Sequence, residues 1–427
     1  MFVLDKTFVM KKTIFLFLAL LTGGMSATAQ NWFQVPTGTT NRLNTIDFPS
    51  STVGYIGGND SLLLKTTDGG QTWNPVAFSG ITFYPNGEHF VKLQFITENI
   101  GFAAVGPYSG SYKTIDGGLT WTALPLSGNL CFNQGIYFSD ENNGVIGGSG
   151  CFQGELVDRL SGGTWSAATI TNAAPLNSLN MITDIDFRGS LGLASSQGGR
   201  FLRSTDGGQT WDSIASPHGN SVPLLSIAII DDTLCYAGFD HMDGSGFGLL
   251  RSHDAGLTWS DEMDMATFFY PDYYGIHLAV NNNVYAGAKS YFGEGGLIFT
   301  RSNQSWIYES VDQAIYDFSS YGDSVVFGVG DSGYVVTNVP LAILSADELT
   351  DDLINFTVSP NPTDGKITFS TTFSDNANYM LFTTEGKSVG EGKLSGNELD
   401  LTLLPPGSYI IRMKDAESVF TTRVIRQ

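Results

Sequence analysis

Lys65-Thr66-Thr67-Asp68-Gly69-Gly70-Gln71-Thr72-Trp73 decides the fold, because it recurs. The same pattern, with substitutions, occupies positions 113–121, 203–211 and 251–259, with Asp116, Asp206 and Asp254 in the place of Asp68. Trp121, Trp211 and Trp259 stand in the place of Trp73. Each copy reads as a β-hairpin: a strand ending on Thr or Ser, a tight turn with glycine, and a second strand opening on Thr-Trp. The Asp accepts hydrogen bonds from backbone N–H groups of its own turn, and Gly supplies positive φ. A repeat of this kind is recognised before any other element is assigned.

Two weaker copies fill the gaps. Gly162-Gly163-Thr164-Trp165 keeps the end of the motif, with Leu160 where the Asp should stand, and 301–306 has lost the Asp and part of the turn. The tryptophans at 73, 121, 165, 211, 259 and 306 are 44 to 48 residues apart, the period of a four-stranded propeller blade. An apolar strand such as Leu43-Asn44-Thr45-Ile46-Asp47-Phe48 and a Gly-rich strand such as Val53-Gly54-Tyr55-Ile56-Gly57-Gly58 precede the motif in each unit. Small residues in the second strand let neighbouring sheets approach closely. A seventh unit runs to Asn338 without a Trp strand, and Asn31-Trp32-Phe33-Gln34-Val35 resembles the missing piece. The fold expected is all-β: a seven-bladed β-propeller over 30–339, closed by an N-terminal strand that hides the last sheet edge.

Residues 1–29 read as a secretory leader, with Lys11 and Lys12 before an apolar run and Ala27-Thr28-Ala29 as small residues for cleavage. The apolar run is short for a bilayer span, so membrane insertion is not expected. The leader carries a net +2, so the rest of the chain carries −23 against −21 for the whole. Such a surface repels nucleic acid and anionic membrane and suits solubility outside the cell. Cys131 and Cys151 fall on loops of one face of blade three, and a disulfide between them suits an exported protein. Cys235 lies in an apolar strand and reads as a small buried residue. Residues 340–354 form a linker, and 355–427 alternate short strands in the manner of a small antiparallel sandwich.

The C-terminal segment resembles the type A sorting domain of the type IX (Por) secretion system of Bacteroidota, on Ser359-Pro360-Asn361-Pro362, the Gly365 turn, Pro406-Gly407-Ser408-Tyr409 and the basic-apolar tail. The resemblance implies passage through the outer membrane by that machinery, removal of the domain, and release or surface attachment. The repeats resemble the Asp-box (bacterial neuraminidase-type) repeats, in the arrangement of propellers related to the photosystem II stability and assembly factor. In such propellers the box lies away from the usual binding face, so the resemblance implies that Asp68, Asp116, Asp206 and Asp254 are structural. Function sits on loops grafted onto the fold.

A sialidase-like activity needs an arginine cluster with a nucleophile and an acid. Arg203, Arg251 and Arg301 share the repeat position of Lys65 and Lys113 beside the turn, Arg188 belongs to the opposite face, and only Arg42 and Arg200 are expected to reach the binding face. No arginine triad is evident. A two-carboxylate glycosidase would draw on Glu88, Asp240, Asp243, Asp264, Asp272 and Glu294, none singled out by spacing. The binding-face loops are aromatic: Phe83, Tyr84, Tyr108, Phe269, Tyr270, Tyr273, Tyr274, Tyr291 and Phe292, with His241 beside them. Stacked rings suit sugar faces or extended peptides. Asp240-His241-Met242-Asp243 reads as a plain loop rather than a metal site, and no cofactor is expected. The expected function is a secreted or cell-surface, non-catalytic propeller that binds a glycan or protein ligand. A glycoside hydrolase or a structural, adhesive surface protein is the alternative.

Overall fold

The computed structural model describes residues 32–427 apart from 84–88, 107, 127–129, 151–153, 173–179, 221, 242–245, 265–275, 279–282, 290–294, 303–304, 323–324, 341–357, 371–372, 374–376, 384–387, 395 and 416–417. The described residues are almost all strand and turn; the one helical element among them is the 3-10 turn Asp331–Gly333. No helix among them is long and apolar enough to cross a membrane.

From Leu43 to Thr337 the strands fall into successive antiparallel sheets. The first contains Leu43–Asp47, Gly54–Gly58, Leu63–Thr66 and Asn74–Pro75, in that order. The second begins at Phe90–Phe95, the third at Leu130–Asp140, the fourth at Ile182–Arg188, the fifth at Leu224–Ile229 and the sixth at Ile276–Leu278. The last holds Ile315–Tyr321, Val325–Gly330 and Val335–Thr337, and its fourth strand is Phe33–Val35 from the other end of the chain. Phe33 pairs with Thr337 and Val35 with Val335. The first strand of each sheet packs against the first strand of the next, and that of the last sheet against Leu43–Asp47.

The repeat owes its packing to two aromatic positions. The Phe that ends or follows the first strand meets the Trp of the same sheet edge-on: Phe48 with Trp73, Phe95 with Trp121, Phe138 with Trp165, and Phe187 with Trp211. Ring centroids are 5.6 to 6.2 Å apart, a geometry that adds about 0.5–1.5 kcal/mol per pair beyond burial. Glycines of the second strand admit the neighbouring sheet. A Cβ on Gly57 would lie 2.5 Å from Phe90 Cβ.

The outgoing chain also leans on the following sheet. Thr169–Thr171 adds a fifth strand, parallel to Thr210–Ala215, and the Ser79 carbonyl accepts the Trp121 N–H at 2.9 Å. Neither contact is legible from the repeat pattern.

In the C-terminal segment, a three-stranded sheet (Val358–Ser359, Lys366–Phe369, Glu398–Asp400) and a four-stranded sheet (Asn378–Thr383, Ser388–Lys393, Gly407–Asp415, Ser418–Arg426) share one core that includes Ile367, Phe369, Leu381, Leu399, Ile411 and Val424. The Tyr409 hydroxyl donates to the Pro405 carbonyl at 2.8 Å and fixes the turn before its own strand.

Candidate functional site

Each Asp of the repeat is engaged by its own hairpin. Asp68 Oδ1 accepts from the Thr72 N–H at 2.9 Å and the Thr66 hydroxyl at 2.7 Å, and Oδ2 accepts from the Thr72 hydroxyl at 2.6 Å. Asp116, Asp206 and Asp254 make the same three bonds with Thr120 and Thr114, Thr210 and Ser204, and Thr258 and Ser252. For Asp206, burial works against ionisation, but the Thr210 hydroxyl and N–H outweigh it and hold the carboxyl down at about 2. The indole N–H of Trp121, Trp211 and Trp259 donates to the glycine carbonyl three residues earlier.

The two departures from the motif have local substitutes. In the third sheet, Ser161 pairs with Thr164 across Gly162 and Gly163, both at positive φ, a two-residue turn that needs no carboxylate, and Leu160 is buried. In the sixth, Trp306 donates instead to Glu262 Oε1 of the fifth sheet at 3.0 Å. Glu262 also pairs with Arg251 (2.6 Å) and Arg301 (3.2 Å). The basic residues beside the turns act between sheets as well. Arg203 Nε donates to the Ala255 carbonyl, and Arg159 Nε to the Gly207 carbonyl, each at 2.8 Å.

Where the first strands converge lies a cavity of about 330 Å³. Arg42 and Asn44 line it from the first sheet, His89, Val91 and Lys92 from the second, and Gln134 from the third. Met181, Thr183, Asp184 and Gln197 come from the fourth, Leu225 and Ser226 from the fifth, and Tyr316 and Asp317 from the last. Its walls are tied together by a device that the sequence reading missed. Polar side chains at alternate positions of a first strand accept backbone N–H groups of the next first strand. Thr45 Oγ1 accepts from Leu93 and Asp47 Oδ2 from Phe95; Asp184 Oδ2 accepts from Ile227 and Asp186 Oδ2 from Ile229. Asp317 Oδ2 accepts from Ile46 and Ser319 Oγ from Phe48, and Gln94 takes the same role toward Phe138. The available signal was the polar residue at every second place of strands that otherwise read as apolar.

Burial governs the charges here. It pushes the Asp47 carboxyl up to about 7 and Asp186 to about 6, despite the backbone N–H groups that favour ionisation. Asp184 is raised for the same reason. Burial opposes the charge on Lys92, but the carboxylates around it, first Asp317 at 3.1 Å and then Asp184 and Asp47, together more than offset it and raise the lysine. His89 is lowered, first by burial and then by the Arg42 charge. The Arg42 guanidinium carbon sits 3.8 Å from the centroid of the Tyr316 ring, and the Tyr316 hydroxyl donates to Asp331 Oδ2 at 2.7 Å.

The expected aromatic cluster meets this geometry in part. Phe83 packs its ring against Phe78 and Phe90 in the core of the second sheet. Tyr108 is 55 % exposed, at positive φ, with its ring 4.8 Å from that of Phe132. Tyr84, Phe269, Tyr270, Tyr273, Tyr274, Tyr291 and Phe292 lie outside the described residues, as do Glu88, Asp243, Asp272 and Glu294. The backbones of His241 and Asp264 belong to strands of the fifth sheet, and Asp240 is buried. Cys131 is disulfide-bonded and lies within its strand rather than before it; Cys151 lies outside the described residues. Cys235 is free and buried, with its thiol pushed up to about 12 by burial. No cluster of three or more potential metal ligands occurs among the described residues.

Residues 357–427 match the family model of the secretion system C-terminal sorting domain. The chain carries a type IX sorting domain. The sorting domain directs export to the cell surface or beyond it. Residues 25–134 match the model of the photosynthesis system II assembly factor YCF48. Among solved structures, YCF48 from Cyanidioschyzon merolae is similar at 20% identity and a TM-score of 0.54, covering 72% of this chain and 98% of its own. A structure described as YCF48 bound to D1 peptide is similar at 18% identity and 0.51, covering 72% and 96%. An ancestral GH74 enzyme is similar at 13% identity and 0.53, covering 92% of this chain and 63% of its own. These likenesses establish a β-propeller fold ahead of the sorting domain. None of the curated proteins matches the chain.

Proposed function

We propose that the chain is a secreted seven-bladed propeller that holds a peptide segment of a protein ligand in its axial cavity without cleaving it. In this reading 1–29 is a cleaved leader and 30–339 the ring, with Phe33–Val35 closing the last blade. Residues 340–354 are a linker, and 355–427 the sorting domain, removed on export by the type IX machinery. The Asp-box residues are structural, and Cys131 pairs with Cys151 on one face.

The observation that carries the reading is the cavity itself, assembled from six sheets, with its two lining carboxylates already engaged. Asp184 accepts from two backbone N–H groups, and Asp317 from Ile46 and Lys92. A hydrolytic pair needs one carboxyl free to give a proton and another free to attack or to activate water. The single Phe, Tyr or Trp ring lining the cavity among the described residues, Tyr316, is covered by Arg42, which favours a peptide over a stacked sugar. The relative bound to D1 peptide lends further support, since a propeller of this type accommodates a peptide.

The test uses the immobilised full chain and a randomised N-acetylated hexapeptide pool, with retained peptides identified by mass spectrometry. A subset should be retained, and Gln197→Trp, which fills the cavity from a turn, should abolish retention. Retention that survives Gln197→Trp but is lost in Tyr270→Ala would move the site to the loops between blades five and six. Peptides recovered cleaved would make the protein an enzyme.

A further inference from the structure

We infer that Arg42 is a carboxylate-recognition residue: the peptide held in the axial cavity presents a carboxylate to its guanidinium. The inference rests on the peptide-binding reading above and deepens it. Arg42 stands immediately before Leu43–Asp47, and its backbone is fixed. Its carbonyl accepts the Asn59 N–H at 2.9 Å, and a Cβ at Gly58 would come within 2.7 Å of that oxygen. The side chain lies over Tyr316, whose hydroxyl is anchored on Asp331. A guanidinium over a ring keeps its N–H donors at its edge, so stacking orders the fork without consuming it.

Among the described residues no carboxylate pairs with Arg42. The two described carboxylates that line the cavity and the acid behind Tyr316 have other partners. Asp331 takes the Tyr316 hydroxyl, Asp317 takes Lys92 and the Ile46 N–H, and Asp184 takes the Ile185 and Ile227 N–H groups. Arg159 and Arg203 also pair with no acid but donate to backbone carbonyls, whereas Arg42 has the face of the Tyr316 ring. His89, lowered by burial and by the Arg42 charge, lines the same cavity. A planar fork of this kind matches a carboxylate through two parallel N–H···O bonds. A free chain end, or an Asp or Glu side chain, would supply that group.

The experiment compares the same hexapeptide pool made as C-terminal acids and as C-terminal amides, alongside oligogalacturonate, on the full chain. Arg42→Gln removes the charge and Arg42→Lys keeps it without the fork; melting temperature is followed for both. The expected result is enrichment of free acids, or of Asp- and Glu-bearing amides, weakened about tenfold to a hundredfold by Arg42→Gln and less by Arg42→Lys, at unchanged melting temperature. Enrichment of free acids alone would identify the chain end; enrichment of acidic amides would identify a side chain. Retention indifferent to carboxylates and to Arg42→Gln would overturn the inference and leave the peptide reading standing. Retention of oligogalacturonate alone, or of no probe, would overturn both.

Discussion

Replacing Glu262 should unfasten the sixth sheet, whose motif has lost both its aspartate and part of its turn. Its two oxygens serve three donors: Arg251 Nη1 at 2.6 Å, Arg301 Nε at 3.2 Å and the Trp306 indole at 3.0 Å. The carboxylate is 10 % exposed and the arginines 28 % and 15 %, so solvent replaces little of what is lost. Glu262→Ala leaves two partly buried cations and an indole N–H without their acceptor. Removing one partner of such a set costs about 3–5 kcal/mol. Glu262→Gln keeps an acceptor for the indole and loses the charge, at a cost of about 1–3 kcal/mol. Urea unfolding followed by tryptophan fluorescence reads both values, with m checked for a change in mechanism. A Glu262→Ala chain within 1 kcal/mol of wild type would refute the claim that Glu262 replaces the lost box.

The buried acids of the axial ring give the protein an unusual pH response. With its carboxyl raised from the ordinary range to about 7, Asp47 binds a proton more readily folded than unfolded. Stability should therefore fall as pH rises from about 4 to 7, by at most about 4 kcal/mol for this group, and Asp47→Asn should flatten the profile of denaturation midpoint against pH. Asp206 works in the opposite sense: its stabilisation is present above pH 4 and is lost as pH falls toward about 2, which NMR titration of its carboxyl would follow. Gly208→Ala should destabilise by at least about 1–3 kcal/mol, since Gly208 has φ +84° and a Cβ would lie 2.8 Å from Val145 Cγ2; a thermal melt equal to wild type would contradict this. Peptide mapping without reductant should recover Cys131 joined to Cys151, and a free Cys235.

The repeat was legible because its parts are local. Asp206 and the groups it serves, Ser204 and Thr210, lie within six residues of each other, and glycines at fixed places mark the turn. The pairing of Phe33–Val35 with Val335–Thr337 was anticipated from the resemblance of Trp32-Phe33-Gln34-Val35 to the Trp strands. The axial ring was not anticipated. Asp184 and Ile227 are 43 residues apart, and Asp317 and Ile46 are 271 apart, so nothing near Asp184 or Asp317 names the partner. An alternation such as Asp184-Ile185-Asp186 reads equally well as an ordinary half-exposed strand until the sheets are arranged side by side. Arg42 was picked out only as an arginine able to reach the binding face; its value depends on Tyr316, brought beside it from the far end of the ring. Glu262 was missed because its work lies in the neighbouring sheet.

The most direct measurement is a crystal structure of the full chain with a peptide recovered from the pool. The account predicts peptide density in the axial cavity, uncleaved, with a carboxylate against Arg42 beside Tyr316. Density over residues 265–275 and 291–294 with an empty cavity would contradict it.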